Sequence, residues 1–189
     1  NNVVLGQAAI TAQGTSWTWT FTPSTPLTAN AVISITAQVI DAAGNLGPIS
    51  PARTFTLDTV APTQAVVITT ISDNVDLILG TIADGGITND NTPTLQGTLS
   101  TALAAGHSVR VYANGAYLGN ATVATTNWTF TPTTSLSSSG SVVFTAAVVD
   151  AAGNQGSLSA PRSIVLDATA PTRTATISLI SDNANLYTG

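Results

Sequence analysis

The sequence has no cysteine, no methionine, no lysine and no glutamate in 189 residues, and a single histidine, His107. Without cysteine there is neither a disulfide nor a thiolate metal site. Four arginines (Arg53, Arg110, Arg162, Arg173) stand against nine aspartates, for a net charge of −5. That balance offers no basic stripe to phosphates and sets aside nucleic-acid binding. Charged residues make up 7% of the chain, against about 25% in an average soluble domain, so solubility rests on Thr, Ser, Asn and Gln. No apolar run approaches the ~20 residues that span a bilayer, and no stretch reads as a signal peptide. One histidine with no cysteine assembles neither a zinc site nor a catalytic triad. His107 therefore reads as a surface-loop residue, and no catalytic activity is expected of this segment.

What is present is repetition. "DAAGN" at Asp41–Asn45 returns at Asp150–Asn154, and "WTFTP" at Trp19 returns at Trp128. Leu57, Asp58 and Ala61–Thr63 return as Leu166, Asp167 and Ala170–Thr172, and "ISDN" at Ile71 returns at Ile180. All four anchors share one spacing of 109 residues (150 − 41, and likewise for the others) without an insertion. This is a tandem array. Taking the Pro- and Thr-punctuated "LDTVAPT" as the boundary divides the chain into three parts. Residues 1–58 are the back part of one repeat, 59–167 a complete repeat, and 168–189 a linker and the first strand of a third. On this reading the chain is a piece of a longer polypeptide.

The complete repeat alternates short β-type segments with turn clusters, near Gln64–Thr70, Thr94–Leu99, Val109–Ala113, Tyr117–Val123, Trp128–Thr131, Val142–Val149 and Arg162–Leu166. Seven such strands predict an all-β fold, an immunoglobulin-like β-sandwich. "YANGAY" carries the Asn-Gly pair of a two-residue hairpin. Side chains alternate along a strand, so Val142, Phe144, Ala146 and Val148 face the core, as do their counterparts Ile33, Ile35, Ala37 and Val39. Val143, Thr145, Ala147 and Val149 face outward. The same alternation directs Trp128 and Phe130 inward, and with them Trp17, Trp19 and Phe21.

With the linker, "WTFTP", "DAAGN" and "ITNDNTPTLQGTL" in this order, the chain resembles the bacterial Ig-like repeats of giant type I secreted or biofilm-associated surface adhesins. The resemblance covers nearly the whole chain. It implies an extracellular extender at the bacterial cell surface, with Ca2+ near the domain junctions stiffening the rod and neighbouring repeats as partners.

Topology then gives the aspartates a place. The hairpin joining the last two strands lies at the pole where the N-terminal linker enters. Asp150 and Asn154 should therefore approach Asp58, and a hard cation with six to eight oxygen ligands could join them. Asp41 and Asn45 repeat the pair one period earlier, and Asp167 repeats Asp58 at the next junction. A second group surrounds the long connection after the first strand: Asp73, Asp76 and Asp90, with Asp84 its weakest member. It should lie at the opposite pole, near Asp167. The same residues also suit turns without metal, because Asp and Asn side chains hydrogen-bond nearby backbone.

The leading functional expectation is a calcium-stiffened structural extender involved in cell adhesion and biofilm formation. The alternative is a module that itself binds glycans or like repeats on another cell. Lateral self-association fits edges without the lysines that protect exposed strands. A third possibility is an accessory domain of a secreted enzyme. Exposed aromatic residues beyond the core set would favour the second.

Overall fold

The computed structural model describes residues 3–27, 30–75, 79–136 and 139–180. Every strand or helix assigned among them is a strand, and no helix is long and apolar enough to cross a membrane. Residues 1–58 contribute β1 (Ala9–Gln13), β2 (Ser16–Thr20), β3 (Ala31–Ile35), β4 (Gln38–Ile40), β5 (Leu46–Ile49) and β6 (Arg53–Leu57). These pair only two by two, as β1-β2, β3-β6 and β4-β5.

The consequence for burial is large. Trp17 is 72% exposed and Trp19 55%, and Val39 is exposed as well. Ile33, Ile35, Ala37 and Phe21 reach only an intermediate burial. The alternation read from the sequence survives as a half-buried side of β3, but the expectation that these residues form a core is corrected. A sheet face is buried only by a second layer, and among the described residues no second sheet covers this part.

Residues 66–166 supply that second layer. The strands are β7 (Val66–Asp73), β8 (Gly80–Ile82), β9 (Gly86–Thr88), β10 (Thr94–Leu99), β11 (Ser108–Ala113), β12 (Ala116–Asn120), β13 (Thr122–Ala124), β14 (Asn127–Phe130), β15 (Gly140–Val149) and β16 (Arg162–Leu166). One sheet has the order β13-β14-β10-β7-β8 and the other β12-β11-β15-β16-β9. Their inner faces share one apolar core that includes Ile68, Ile71, Leu95, Val109, Val111, Trp128, Phe130, Phe144, Val148, Ile164 and Leu166. Residues from both copies of "WTFTP" thus meet opposite fates: Trp128 is 2% exposed, because β7 and β10 back its sheet and β11, β15 and β16 face it.

The seven-strand reading is refined in two places. Tyr117–Val123 is not one strand, because β12 and β13 belong to different sheets; the chain crosses between them at Ala121, whose N–H donates to Val109 O at 2.8 Å. The long connection after β7 folds into β8 and β9, and β9 pairs parallel to β16. The outer side of β15 also departs from expectation. Ala147 and Val149 are buried where the Tyr112 hydroxyl reaches across the strand to donate to Gln155 Oε1 at 2.7 Å. The "YANGAY" hairpin forms as expected, with Asn114 at φ 49° and Gly115 at φ 80°, the two positive values a type I′ turn requires.

Candidate functional site

The two ends of the sandwich carry the candidate residues. At the entry pole, β15 ends at Val149 and turns at once through Asp150–Asn154. The Asp150 carboxylate builds this turn. Its Oδ1 accepts the N–H of Ala152 at 2.9 Å and of Asn154 at 2.8 Å. Its Oδ2 accepts Asn154 Nδ2 at 2.8 Å. Asn154 Nδ2 also donates to the carbonyl oxygen of Asp58 at 3.1 Å. The predicted meeting of Asp58 with the Asp150–Asn154 hairpin is therefore present, made directly by an amide. The Asp58 side chain turns back on its own linker, Oδ1 accepting Val60 N at 3.0 Å. Asp167 does the same one period later with Thr169 N at 3.1 Å.

Asp41 and Asn45 reproduce the hairpin. Asp41 Oδ1 accepts Ala43 N at 2.9 Å and Asn45 N at 2.8 Å, and Oδ2 accepts Asn45 Nδ2 at 2.8 Å. In Asp41 these bonds, led by the Asn45 amide, hold the carboxyl below the ordinary carboxylate value. In Asp150 loss of solvent pushes the carboxyl up, but the bonds from Asn154, Ala152 and Gly153 outweigh it and the net direction is down. A lowered folded value means the turn draws stability from the ionised form above pH 3.8, the ordinary value, and loses it as pH falls through the lower folded value. Corrected for the intrinsic base-catalysed rate, the protection of the Ala152 and Asn154 amides should fall only below that pH. A loss of protection already between pH 5 and 7 would contradict it.

At the exit pole the acids are buried. Asp73 is 3% exposed and Asp90 0%. Asp73 Oδ1 accepts Val75 N at 2.8 Å and its Oδ2 accepts Thr88 Oγ1. Asp90 Oδ2 accepts Asn74 N at 3.2 Å, and its Oδ1 accepts Thr92 N at 2.8 Å and Thr92 Oγ1 at 3.3 Å. Thr88 ties the pair together, since its Oγ1 also accepts Asp90 N at 3.0 Å. Asp167 adjoins them, its N–H donating to Thr88 O at 2.8 Å. The structure thus brings Asp73, Asp90 and Asp167 together at the pole opposite Asp150. Asp76 lies outside the described residues. Asp84 stands apart: it caps the start of β16, its Oδ1 accepting Ser163 N at 2.7 Å and Ser163 Oγ at 3.2 Å. Those bonds, the backbone one first, lower its carboxyl.

This two-sheet sandwich coincides with residues 65–168, which match the family model described as bacterial Ig-like domain. The chain belongs to the bacterial Ig-like domain family. The match covers more than half of the chain, and no curated protein matches it.

The donor chemistry at the two poles of this bacterial Ig-like domain differs. No group of three or more His, Cys, Asp or Glu among the described residues is arranged to hold a metal, so any ion would need carbonyl, hydroxyl or water oxygens as well. At the exit pole two buried carboxylates, Asp73 and Asp90, receive only neutral donors, and among the described residues no arginine pairs with them. A carboxylate offers about four lone-pair sites; two are used on Asp73 and three on Asp90. At the entry pole, Asp150 is engaged by its own hairpin and Asn154 presents its amide nitrogen rather than its oxygen.

Two residues here were missed by sequence reasoning. Asn30 grips the linker from the other side, its Oδ1 accepting Thr59 N at 2.7 Å and Thr59 Oγ1 at 2.9 Å. Its counterpart 109 residues on is Ser139, so the repeat gave no signal. His107 sits half-buried in its loop and lines a cleft with Asp58, Pro62 and Asp150. A Cβ added to Gly106 would stand 3.1 Å from Ala151 Cβ of the hairpin.

Proposed function

We propose that this chain is part of the extracellular extender of a bacterial surface adhesin, in which bacterial Ig-like repeats are joined end to end and calcium stiffens the junctions. The observation that carries the reading is polarity. The linker enters beside Asp150, and β16 leaves at Asp167 beside Asp73 and Asp90, so each repeat adds its length to the array. A strand of ten residues such as β15 spans about 33 Å. What supports a hard cation at the exit pole is the pair of buried carboxylates, Asp73 and Asp90, with Asp167 adjacent; carbonyl, hydroxyl or water oxygens would complete the shell. When bound, Ca2+ would neutralise carboxylates that among the described residues have only neutral hydrogen-bond donors around them.

Extracellular modules bind calcium with dissociation constants of about 10⁻⁴–10⁻³ M, so such sites fill outside a cell and empty in the cytosol. In this role the segment holds an adhesive region away from the cell surface, contributes to biofilm formation, and catalyses nothing. The test is small-angle scattering of two complete repeats in tandem. Calcium should lengthen the maximum dimension and reduce flexibility relative to chelator. Equal profiles in both would defeat the proposal.

One observation favours a second reading, a module that itself binds a saccharide. Tyr117 is 52% exposed, with the Arg110 guanidinium 5.4 Å from its ring centre and Tyr112 at 6.0 Å. Aromatic rings beside a cation suit stacking against an acidic sugar. Retention of the chain on a uronate-containing glycan, lost in Tyr117→Ala, would support it.

A further inference from the structure

The hairpin that repeats in this chain meets an inter-repeat linker at its second copy. At Asp150–Asn154 the linker is in place: Asn154 Nδ2 donates to Asp58 O at 3.1 Å. A Cβ added to Gly156 would stand 2.5 Å from Pro62 O, so only glycine admits the linker at that point. At Asp41–Asn45 the hydrogen bonds to the carboxylate are the same to within 0.1 Å, so the carboxylate closes the turn in the same way in both copies. A Cβ added to Gly156 would also stand 3.4 Å from Val148 O.

We infer that the "DAAGN" hairpin with its following glycine is a receptor for the inter-repeat linker. It grips Asp58 and Pro62 by hydrogen bonding and close packing, in contacts that need no ion. Asp150 is a positioning residue. Its Oδ1 closes the turn, and its Oδ2 aims the Asn154 amide so that the second amide hydrogen meets Asp58 O. The turn is closed by bonds internal to the hairpin, so the Asn154 amide is held in place with little conformational freedom left to lose. The linker is held from both sides over two residues: Asn154 takes the carbonyl of Asp58, and Asn30 takes the N–H and hydroxyl of Thr59. Backbone anchored on either side at adjacent residues cannot act as a free hinge there. The partner this surface fits is thus an extended segment of the type Asp-x-x-Ala-Pro-Thr, which the chain carries at 58–63 and again, in related form, at 167–172.

The inference rests on reading the chain as a tandem extender, and its test separates from the test for calcium by being made in chelator. The measurement is hydrogen exchange at Thr59 and Val60 in the full 189-residue chain, with protection of Val142–Val149 as the check on folding. A neutral hydrogen bond contributes about 0.5–1.5 kcal/mol, so Asn154→Ala should raise linker exchange roughly 2- to 12-fold. Gly156→Val should raise it more, because the linker must leave. Asn45→Ala, in the other copy of the hairpin and away from residues 58–63, should change nothing. Asn154→Ala and Gly156→Val both matching wild type, with the fold intact, would overturn the inference. Should Asn154→Ala fail to fold, Gly156→Ala gives the same reading. Asn154→Asp distinguishes the two ideas by sign. It loses the amide donor and must loosen the linker in chelator, whereas calcium ligation by this residue predicts tightening when Ca2+ is added. Tightening in chelator would count against the receptor; failure to respond to Ca2+ would count only against calcium at this hairpin.

Discussion

Trp128→Ala should lower the unfolding free energy of the sandwich by about 3–5 kcal/mol, the range for deleting a large buried aromatic side chain. The same change at Trp19 should stay within about 0.5 kcal/mol. The two residues sit in identical five-residue settings, yet one is 2% exposed and the other 55%. Trp128 lies over Gly97, at the point where the pairing of β10 with β7 shifts register. A Cβ at Gly97 would overlap both the Trp128 indole and Val67 O. The bulge and the missing side chain together make the slot the indole fills. Gly97→Ala should therefore also destabilise, by at least the 1–3 kcal/mol of ordinary overpacking. Chemical denaturation followed by circular dichroism measures all three. Equal losses for Trp128→Ala and Trp19→Ala would mean that residues 1–58 have a covered core.

The second large effect concerns the exit pole. If Asp73 and Asp90 hold calcium as proposed, 10 mM Ca2+ exceeds the dissociation constant of such a module by about 10- to 100-fold. Linkage then gives about 1.4–2.7 kcal/mol of added stability. Asp90→Asn should abolish this gain and also lower the melting temperature in chelator, because its amide NH2 replaces an oxygen that accepts a buried backbone N–H. Asparagine keeps one oxygen for the donors that surround it but cannot neutralise a cation. Scanning calorimetry with calcium and with chelator reads both terms. A wild type that melts at one temperature in both would remove the exit pole from the calcium proposal. A variant that keeps the full calcium response would remove Asp90 alone.

The inward set of β14, β15 and β16 was legible because alternation along a strand is a local property, and Trp128, Phe130, Phe144 and Ile164 obey it. The counterparts in residues 1–58 carry the same pattern but not the same burial, because burial depends on a second sheet that no local pattern announces. The β12–β13 crossing was hidden for a related reason: Tyr117–Val123 keeps strand character while changing sheets, and only the Ala121–Val109 hydrogen bond reveals the change. Strands β8 and β9, three residues each, were lost among turn residues that read as a metal loop. Strand order in a sandwich determines which connections share an end, and it brings Asp150 to the linker and Asp73 with Asp90 to Thr88, while Asp84, expected with them, caps the start of β16 instead. What "DAAGN" does there was open between metal ligation and a turn. The structure shows its carboxylate making the turn, and only atomic positions could show Asn154 reaching the linker.

The parallel pairing of β9 with β16 has a mechanical meaning. A pull between the entry linker and Asp167 loads β7 at one end and β16 at the other, and both strands run from the entry pole to the exit pole. Each has a neighbour on both edges, β10 and β8 for β7, β15 and β9 for β16. Ile164, Val165 and Leu166 lie beside Gly86, Ile87 and Thr88, and the Asp167–Thr88 bond continues the ladder to the point where the chain leaves. Tension along such strands shears a row of hydrogen bonds together instead of opening them one at a time. A tether built from these units would thus resist drag as a set of parallel bonds failing at once, with the chain outside each sandwich yielding first.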